Sequence, residues 1–230
     1  MKFSTVLLLL FSLSFMNSTA QNDLKSFSFK KGEVLDIILL STAPNSGALF
    51  ERYKKTAFPV GFEYTYQPQP GFKTTELTLG NHLPTSLILG KWSSKEKREG
   101  FLTTITKRVP DFHSQRRALF TYFGLTYYVA PRDIQFSVDT KKYNLATSFW
   151  KKDSKSFSSF LTQWKKEVIK SGGKIILQLQ DGTSPTGYDY NPDIFYIIEW
   201  KDESSFETFA KKHPLSSYEV LKNVHQLVID

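Results

Sequence analysis

The chain has no cysteine. It can therefore form no disulfide and carry no lipidated N-terminal cysteine. Histidine is also scarce: His82 falls in a turn, His113 in a helix, His213 before a proline and His225 in the last strand, and no two are spaced as a metal pair. Without thiolates or a close histidine pair, a zinc site is not expected. There is no Gly-x-Ser-x-Gly elbow, no Gly-Lys-Ser/Thr phosphate loop and no carboxylate pair of distinctive spacing, so the motif-bearing hydrolases and nucleotide-binding enzymes are not indicated. Past residue 20 no apolar run is long enough to cross a bilayer.

What is present begins with a leader. Met1-Lys2-Phe3 is basic, Val6 to Met16 is apolar but too short to span a membrane, and Asn17-Ser18-Thr19-Ala20 is small and polar. That order predicts a cleavable secretory signal over 1–20 and a secreted or periplasmic mature protein. With no disulfide available, its stability must come from core burial, for which an aromatic content of 15% is ample material. The formal charge is +8. A basic balance suits acidic glycans, nucleic acid or anionic lipid, but the lysines are scattered in pairs such as Lys54-Lys55, Lys141-Lys142 and Lys211-Lys212, which reads as solvated surface. Nucleic acid is not an expected partner.

Along the chain the same grammar appears twice. Residues 21–31 read as a polar lead-in. Val34 to Leu40 is a buried strand interrupted by Asp36; Leu49, Phe50, Tyr53 and Ala57 make a helical face that Pro59 and Gly61 should end; Phe62 to Tyr66 and Phe72 to Leu79 read as strands. Leu87 to Trp92 is a strand entering a helix from about Ser94, Val109-Pro110-Asp111 breaks and restarts the chain, and Gly124 releases a last strand. Tyr143 to Lys151 opens the second copy. A helix bearing Phe157, Phe160, Leu161, Trp164 and Val168 follows, then a strand at Lys174 to Gln180 and a long connection over 181–192. Phe195 to Trp200 is the organising strand, followed by a helix with Phe206 and Phe209 and a closing strand at Val224 to Ile229. Trp92 and Trp200, and Pro110 and Pro214, recur at a shift of roughly 105 residues, as an internal duplication requires.

A strand-helix-strand-strand-helix-strand unit is a ferredoxin-like sheet whose second face needs covering. The expected fold is α+β: two ferredoxin-like βαββαβ units, over about 30–132 and 140–230, packed sheet to sheet as an intrachain α+β barrel. The second unit, through Ser171-Gly172-Gly173-Lys174-Ile175-Ile176-Leu177 and Phe195-Tyr196-Ile197-Ile198-Glu199-Trp200 followed by Ser205-Phe206, resembles the small barrel domains of the dimeric α+β barrel superfamily. The first unit departs from that pattern, with Pro59-Val60-Gly61 in place of the glycine pair. The resemblance covers most of the mature chain. It implies a superfamily that includes cofactor-free monooxygenases, lactone isomerases, tandem haem enzymes and proteins without known activity. For haem, His225 or His213 would be the axial candidate, but no motif supports it, and no cofactor or metal is expected.

Site candidates follow from position. Lys91 and Glu199 each precede the repeated tryptophan and should occupy equivalent places; at an outward strand end they would be ordinary polar residues, in the interior they would compensate each other or address a ligand. Asp36 stands alone in an apolar strand, at a face that meets either solvent or a cavity, and His225 shares a strand face with Leu227 and Ile229. With Tyr127 these are the catalytic candidates; Trp92, Trp200 and Tyr196 are the candidates for ligand contact. The leading reading is a small, largely apolar ligand bound in an aromatic-lined space between the two sheets. A cofactor-independent monooxygenase or isomerase is the alternative, and acidic-glycan binding by the basic surface a further one.

Overall fold

In the computed structural model, residues 23–152, 154–185 and 187–230 are described; the leader expected over 1–20 lies outside them. The expected lead-in is a strand instead. Leu24–Phe29 (β1) places Phe27 and Phe29 inward, and it pairs antiparallel with a strand far along the chain. Polar alternation made β1 look soluble, whereas in the fold only one of its faces meets water.

Val34–Thr42 (β2) leads into Gly47–Glu63 (α1). Pro59 does not end α1: Ala57, Val60 and Gly61 are all buried, and their packing outweighs the one hydrogen bond a proline cannot donate. The strand expected from Phe62 shrinks to Gln67–Pro68 (β3), because the chain turns through Thr65 at φ 69°. Phe72–Leu79 (β4) and Ser86–Trp92 (β5) follow. Lys95–Arg108 (α2) is capped by Ser94, whose hydroxyl accepts from the Lys97 amide. Phe112–Leu119 (α3) runs directly into Phe120–Val129 (β6), so that Gly124 lies within the strand rather than at its start. Ile134–Asp139 (β7), the segment between the units, is the partner of β1. The second unit is Tyr143–Lys151 (β8), Ser154–Lys170 (α4), Lys174–Gln180 (β9), Ile194–Trp200 (β10), Glu203–Lys212 (α5) and Leu221–Ile229 (β11), with a 3-10 turn at Leu215–Ser217.

Apart from the two-stranded sheet of β1 and β7, the strands form one curled antiparallel sheet in the order β6-β2-β5-β4-β11-β8-β10-β9, with β3 paired to β5. Each half repeats one permutation: β6-β2-β5-β4 and β11-β8-β10-β9 are both the fourth, first, third and second strands of a ferredoxin-like unit. The halves join where β4 pairs with β11. The fold is thus a half-closed α+β barrel built within one chain.

Three packed layers result. Val34, Trp92 and Tyr127 pack against α1, α2 and α3. Phe149, Tyr196 and Trp200 pack against α4 and α5. Between the halves the inner faces share a single core, with Leu35, Ile37, Leu39, Leu87 and Leu89 meeting Leu177, Leu179, Phe195, Ile197, Leu227 and Ile229. Phe27, Phe29, Phe136 and Val138 from β1 and β7 are part of this same core. Most of the space expected to hold a ligand is therefore filled by the protein's own side chains, and only a groove at its unpaired edge, lined by Tyr128, Ile134, Leu177 and Leu179, stays open.

Strands β6 and β9, where a full barrel would close, do not pair. The connection before β10 lies along β6 instead. Thr183 and Tyr127 exchange both backbone hydrogen bonds at 2.9 Å, and Ser184 donates to the Leu125 carbonyl at 2.8 Å. Gly182 makes this approach feasible: a Cβ there would lie 2.5 Å from both Thr126 and Tyr128 side-chain atoms.

Ile197 is fully buried in the shared interior. Ile197→Ala is expected to cost roughly 2–5 kcal/mol in urea unfolding, and a cost under about 1 kcal/mol would contradict a packed interior.

Candidate functional site

The cavity lies on the other side of the first sheet, between it and the helices, with a volume of about 240 Å³. Alternation along β2 explains the floor. Leu35, Ile37 and Leu39 face the shared core, so Asp36, Ile38, Leu40 and Thr42 face the helices and line the cavity. Tyr53, Ala57 and Phe58 of α1, Arg98 and Phe101 of α2, and Arg116 of α3 form the roof.

Asp36 and Arg98 are each only 2% exposed. The Arg98 Nε donates to both Asp36 oxygens, at 2.8 and 3.0 Å, and Trp92 Nε1 donates to Oδ2 at 2.9 Å. The guanidinium is flanked by the rings of Trp92 and Tyr127, with centroids at 5.1 and 5.3 Å. Its Nη1 is buried with no hydrogen-bond partner among the described residues. Tyr66 stands over this group, and burial followed by the nearby Asp36 charge pushes its phenol pKa up. Gly90 leaves room for that ring, since a Cβ there would sit 2.8 Å from Tyr66 Cε2.

The duplication tests whether the fold itself needs this ion pair. Val34 pairs with Trp92 and Tyr143 with Trp200, so the register places Leu145 where the first unit has Asp36, and Ile198 where it has Gly90. Six residues beyond the second tryptophan, Phe206 stands in place of Arg98. Leu145, Ile198 and Phe206 are buried in the apolar core of their helix layer. One half therefore builds with hydrocarbon what the other builds with a buried ion pair, an arrangement that seldom adds net stability.

Arg116 holds the other end of the cavity. Its Nε donates to the Tyr53 hydroxyl at 2.9 Å, and its Nη1 donates to the hydroxyl of Tyr188 from the long connection. The rings of Phe112 and Phe123 lie 4.4 Å from the guanidinium carbon. Sequence reasoning missed both arginines. For Arg98 a signal existed: Phe101 and Ile105 follow it by three and seven residues, which puts it on the buried face of α2. For Arg116 the tertiary approach of the long connection supplied the context.

The other candidates do not converge here. Lys91 bonds Glu33 at 2.7 Å and the Ser28 carbonyl at 3.1 Å, while Glu199 faces Lys174 at 3.7 Å. The two charges occupy equivalent strand positions, yet each has its own local partner and they do not compensate each other. Tyr127 donates to Glu99 at 2.7 Å. Tyr196 and Trp200 are buried in the second helix layer, so the packing assigns them to core rather than to ligand contact; Trp92 lines the cavity.

His225 belongs to a separate interior network. Its Nε2 donates to the His82 carbonyl at 2.8 Å, and Nδ1 lies 3.0 Å from the Tyr190 hydroxyl, itself 2.7 Å from Ser148 Oγ. Both ring nitrogens are engaged by the protein, so His225 does not fit an axial haem ligand. His213 faces Glu167 at 3.9 Å and stacks on Phe209 in the second helix layer, away from the cavity.

No protein-family model matches the sequence, and no curated protein is detectably similar to it. Solved structures show the fold. A mutant chlorite dismutase from Candidatus Nitrospira defluvii superposes with a TM-score of 0.50 at 8% identity, over 88% of this chain and 93% of that one. The same enzyme in complex with imidazole gives 0.50 at 9%, over 87% and 92%. An anthrone oxidase-like protein gives 0.47 at 12%, over 89% and 94%, and a protein described as a monooxygenase from Fusobacterium nucleatum gives 0.40 at 11%, over 88% and 93%. The likeness is one of fold: an α+β barrel of ferredoxin-like units, here as a tandem in one chain.

Two expectations follow. Asp36→Ala strands a buried guanidinium and should cost about 3–5 kcal/mol, whereas the double variant Asp36→Leu/Arg98→Phe, which installs the second unit's residues, should recover most of that loss in chemical denaturation. A double variant no more stable than Asp36→Ala would show that the pair is structural. Burial lowers the His225 pKa from its ordinary 6.5. The unfolded chain then takes up a proton before the folded one, so stability is complete above about pH 6.5 and declines as pH falls toward the lower folded value. The drop in Tm between about pH 7.5 and 5.5 should be smaller in His225→Gln than in the unaltered protein.

Proposed function

We propose that this protein binds a small, largely apolar ligand in the cavity between its first sheet and the helices above it. The observation that carries this reading is the asymmetry of the halves: the first keeps a ring-lined cavity around Asp36, Arg98 and Trp92 where the second is packed with Leu145, Ile198 and Phe206. At about 240 Å³ the space is a little smaller than the roughly 300 Å³ at which drug-sized pockets begin, so a one- or two-ring molecule suits it. The leader expected over 1–20 makes this an exported binding protein, and mass spectrometry of the mature chain, starting at Gln21, would test that.

Turnover by a cofactor-independent monooxygenase or isomerase is supported less well, because of Asp36, Lys91, Tyr127, Glu199 and His225 only Asp36 lines the cavity. Acidic-glycan binding needs a run of unpaired cations. Among the described residues Lys30, Lys95, Lys141 and Lys151, with others, are instead paired with carboxylates, so the basic charge is interleaved with acid.

Ala57 is buried and lines the cavity. Calorimetric titration with naphthalene-sized neutral compounds should show saturable binding, weakened at least about tenfold by Ala57→Leu, which grows into the space. Binding unaffected by Ala57→Leu would place the ligand elsewhere and sink the reading.

A further inference from the structure

We propose that the ligand is an anion: a flat, one- or two-ring apolar body bearing a carboxylate or similar oxyanion, which Arg116 holds. The inference rests on the binding reading above and adds the charge of the molecule bound.

The charges lining the cavity do not sum to zero. Asp36 is matched by Arg98, and Arg116 is left over. Among the described residues the arginine ion pairs are those of Arg52, Arg98 and Arg108; none involves Arg116. Every partner recorded for Arg116 is neutral: two phenol oxygens and the faces of Tyr53, Phe112, Phe123 and Tyr188. Phenols answer its hydrogen bonds but leave its charge uncompensated, and the flanking rings keep water from much of its surface.

Such a guanidinium is a receptor for a planar oxyanion, which it can bind through two parallel N–H donors. A charge-assisted hydrogen bond is about twice as strong as a neutral one, so an oxyanion can take Nη1 from the Tyr188 hydroxyl. The ring-lined walls select the rest of the molecule. Phe50, Phe58, Tyr66, Trp92, Phe101 and Phe120 offer apolar surface and almost no acceptors. At the other arginine the buried, unpartnered Nη1 of Arg98 offers a donor to a further acceptor atom of the ligand. The second unit has no counterpart of Arg116, because a 3-10 turn at Leu215–Ser217 stands where the first unit has α3.

The test compares 1-naphthoate with 1-naphthamide, alike in shape and different in charge, by calorimetric titration of the mature protein. The acid should bind at least about tenfold more tightly than the amide. Arg116→Gln should abolish that preference, and Arg116→Lys should retain part of it. Equal affinity for acid and amide in the unaltered protein overturns the charge assignment and leaves the cavity reading standing. A preference that survives Arg116→Gln overturns the role of Arg116. Binding of neither compound removes the cavity reading and this inference with it. The comparison on the unaltered protein decides the charge of the ligand even if Arg116→Gln does not fold, and Arg116→Lys, which keeps a cation there, then tests the role of Arg116.

Discussion

A ferredoxin-like sheet has two apolar faces, and its own helices can cover only one. That constraint governs this chain. Each half lays its helices on the outside and must find something for the inside, and the two halves solve the problem for each other through a common core. Hydrogen bonding between β4 and β11 makes the two sheets continuous and fixes their relative position. Without cysteine there is no covalent alternative, so apolar burial and this one strand junction carry the architecture.

The common core has a consequence for where a ligand can go. Aromatic side chains from β1 and β7 are tucked into the same interior, and most of what an open barrel would leave as a pocket is occupied. A ring-lined cavity lies instead in the helix layer of the first unit. There the sheet surface remains partly accessible at Ile38, Leu40 and Ile88, although they sit near the middle of their strands. Accessible apolar residues in such positions indicate a cleft that the roof does not fill.

Duplication turns the second half into an internal control. Both halves keep the strand order, the tryptophan and the polar cap at the helix after the third strand, Ser94 in one and Asp202 in the other. They differ where Asp36, Gly90 and Arg98 face Leu145, Ile198 and Phe206. A buried ion pair that the fold can dispense with is more naturally explained by what it does to the cavity, fixing the Trp92 ring and presenting an unsatisfied donor, than by stability. The long connection links the halves again, since it lies along the edge of β6 that β9 leaves unpaired and brings Tyr188 to Arg116.

By itself the sequence determined the doubled unit and its class of fold. These depend on local periodicity, helix caps and the spacing of repeated tryptophans and prolines, all of which are written in neighbouring residues. Asp36 also stood out alone, as a charge in an apolar strand. Only the tertiary structure decided what answered it, because Arg98 lies 62 residues away and reads locally as one more cation on a basic helix. The same holds for β1, whose partner β7 lies more than a hundred residues along the chain, and for Pro59, which packing carries within a helix it would otherwise end. Which face is buried, which charge is matched and where space is left over are properties of surfaces brought together from distant parts of the chain, and no local pattern encodes them.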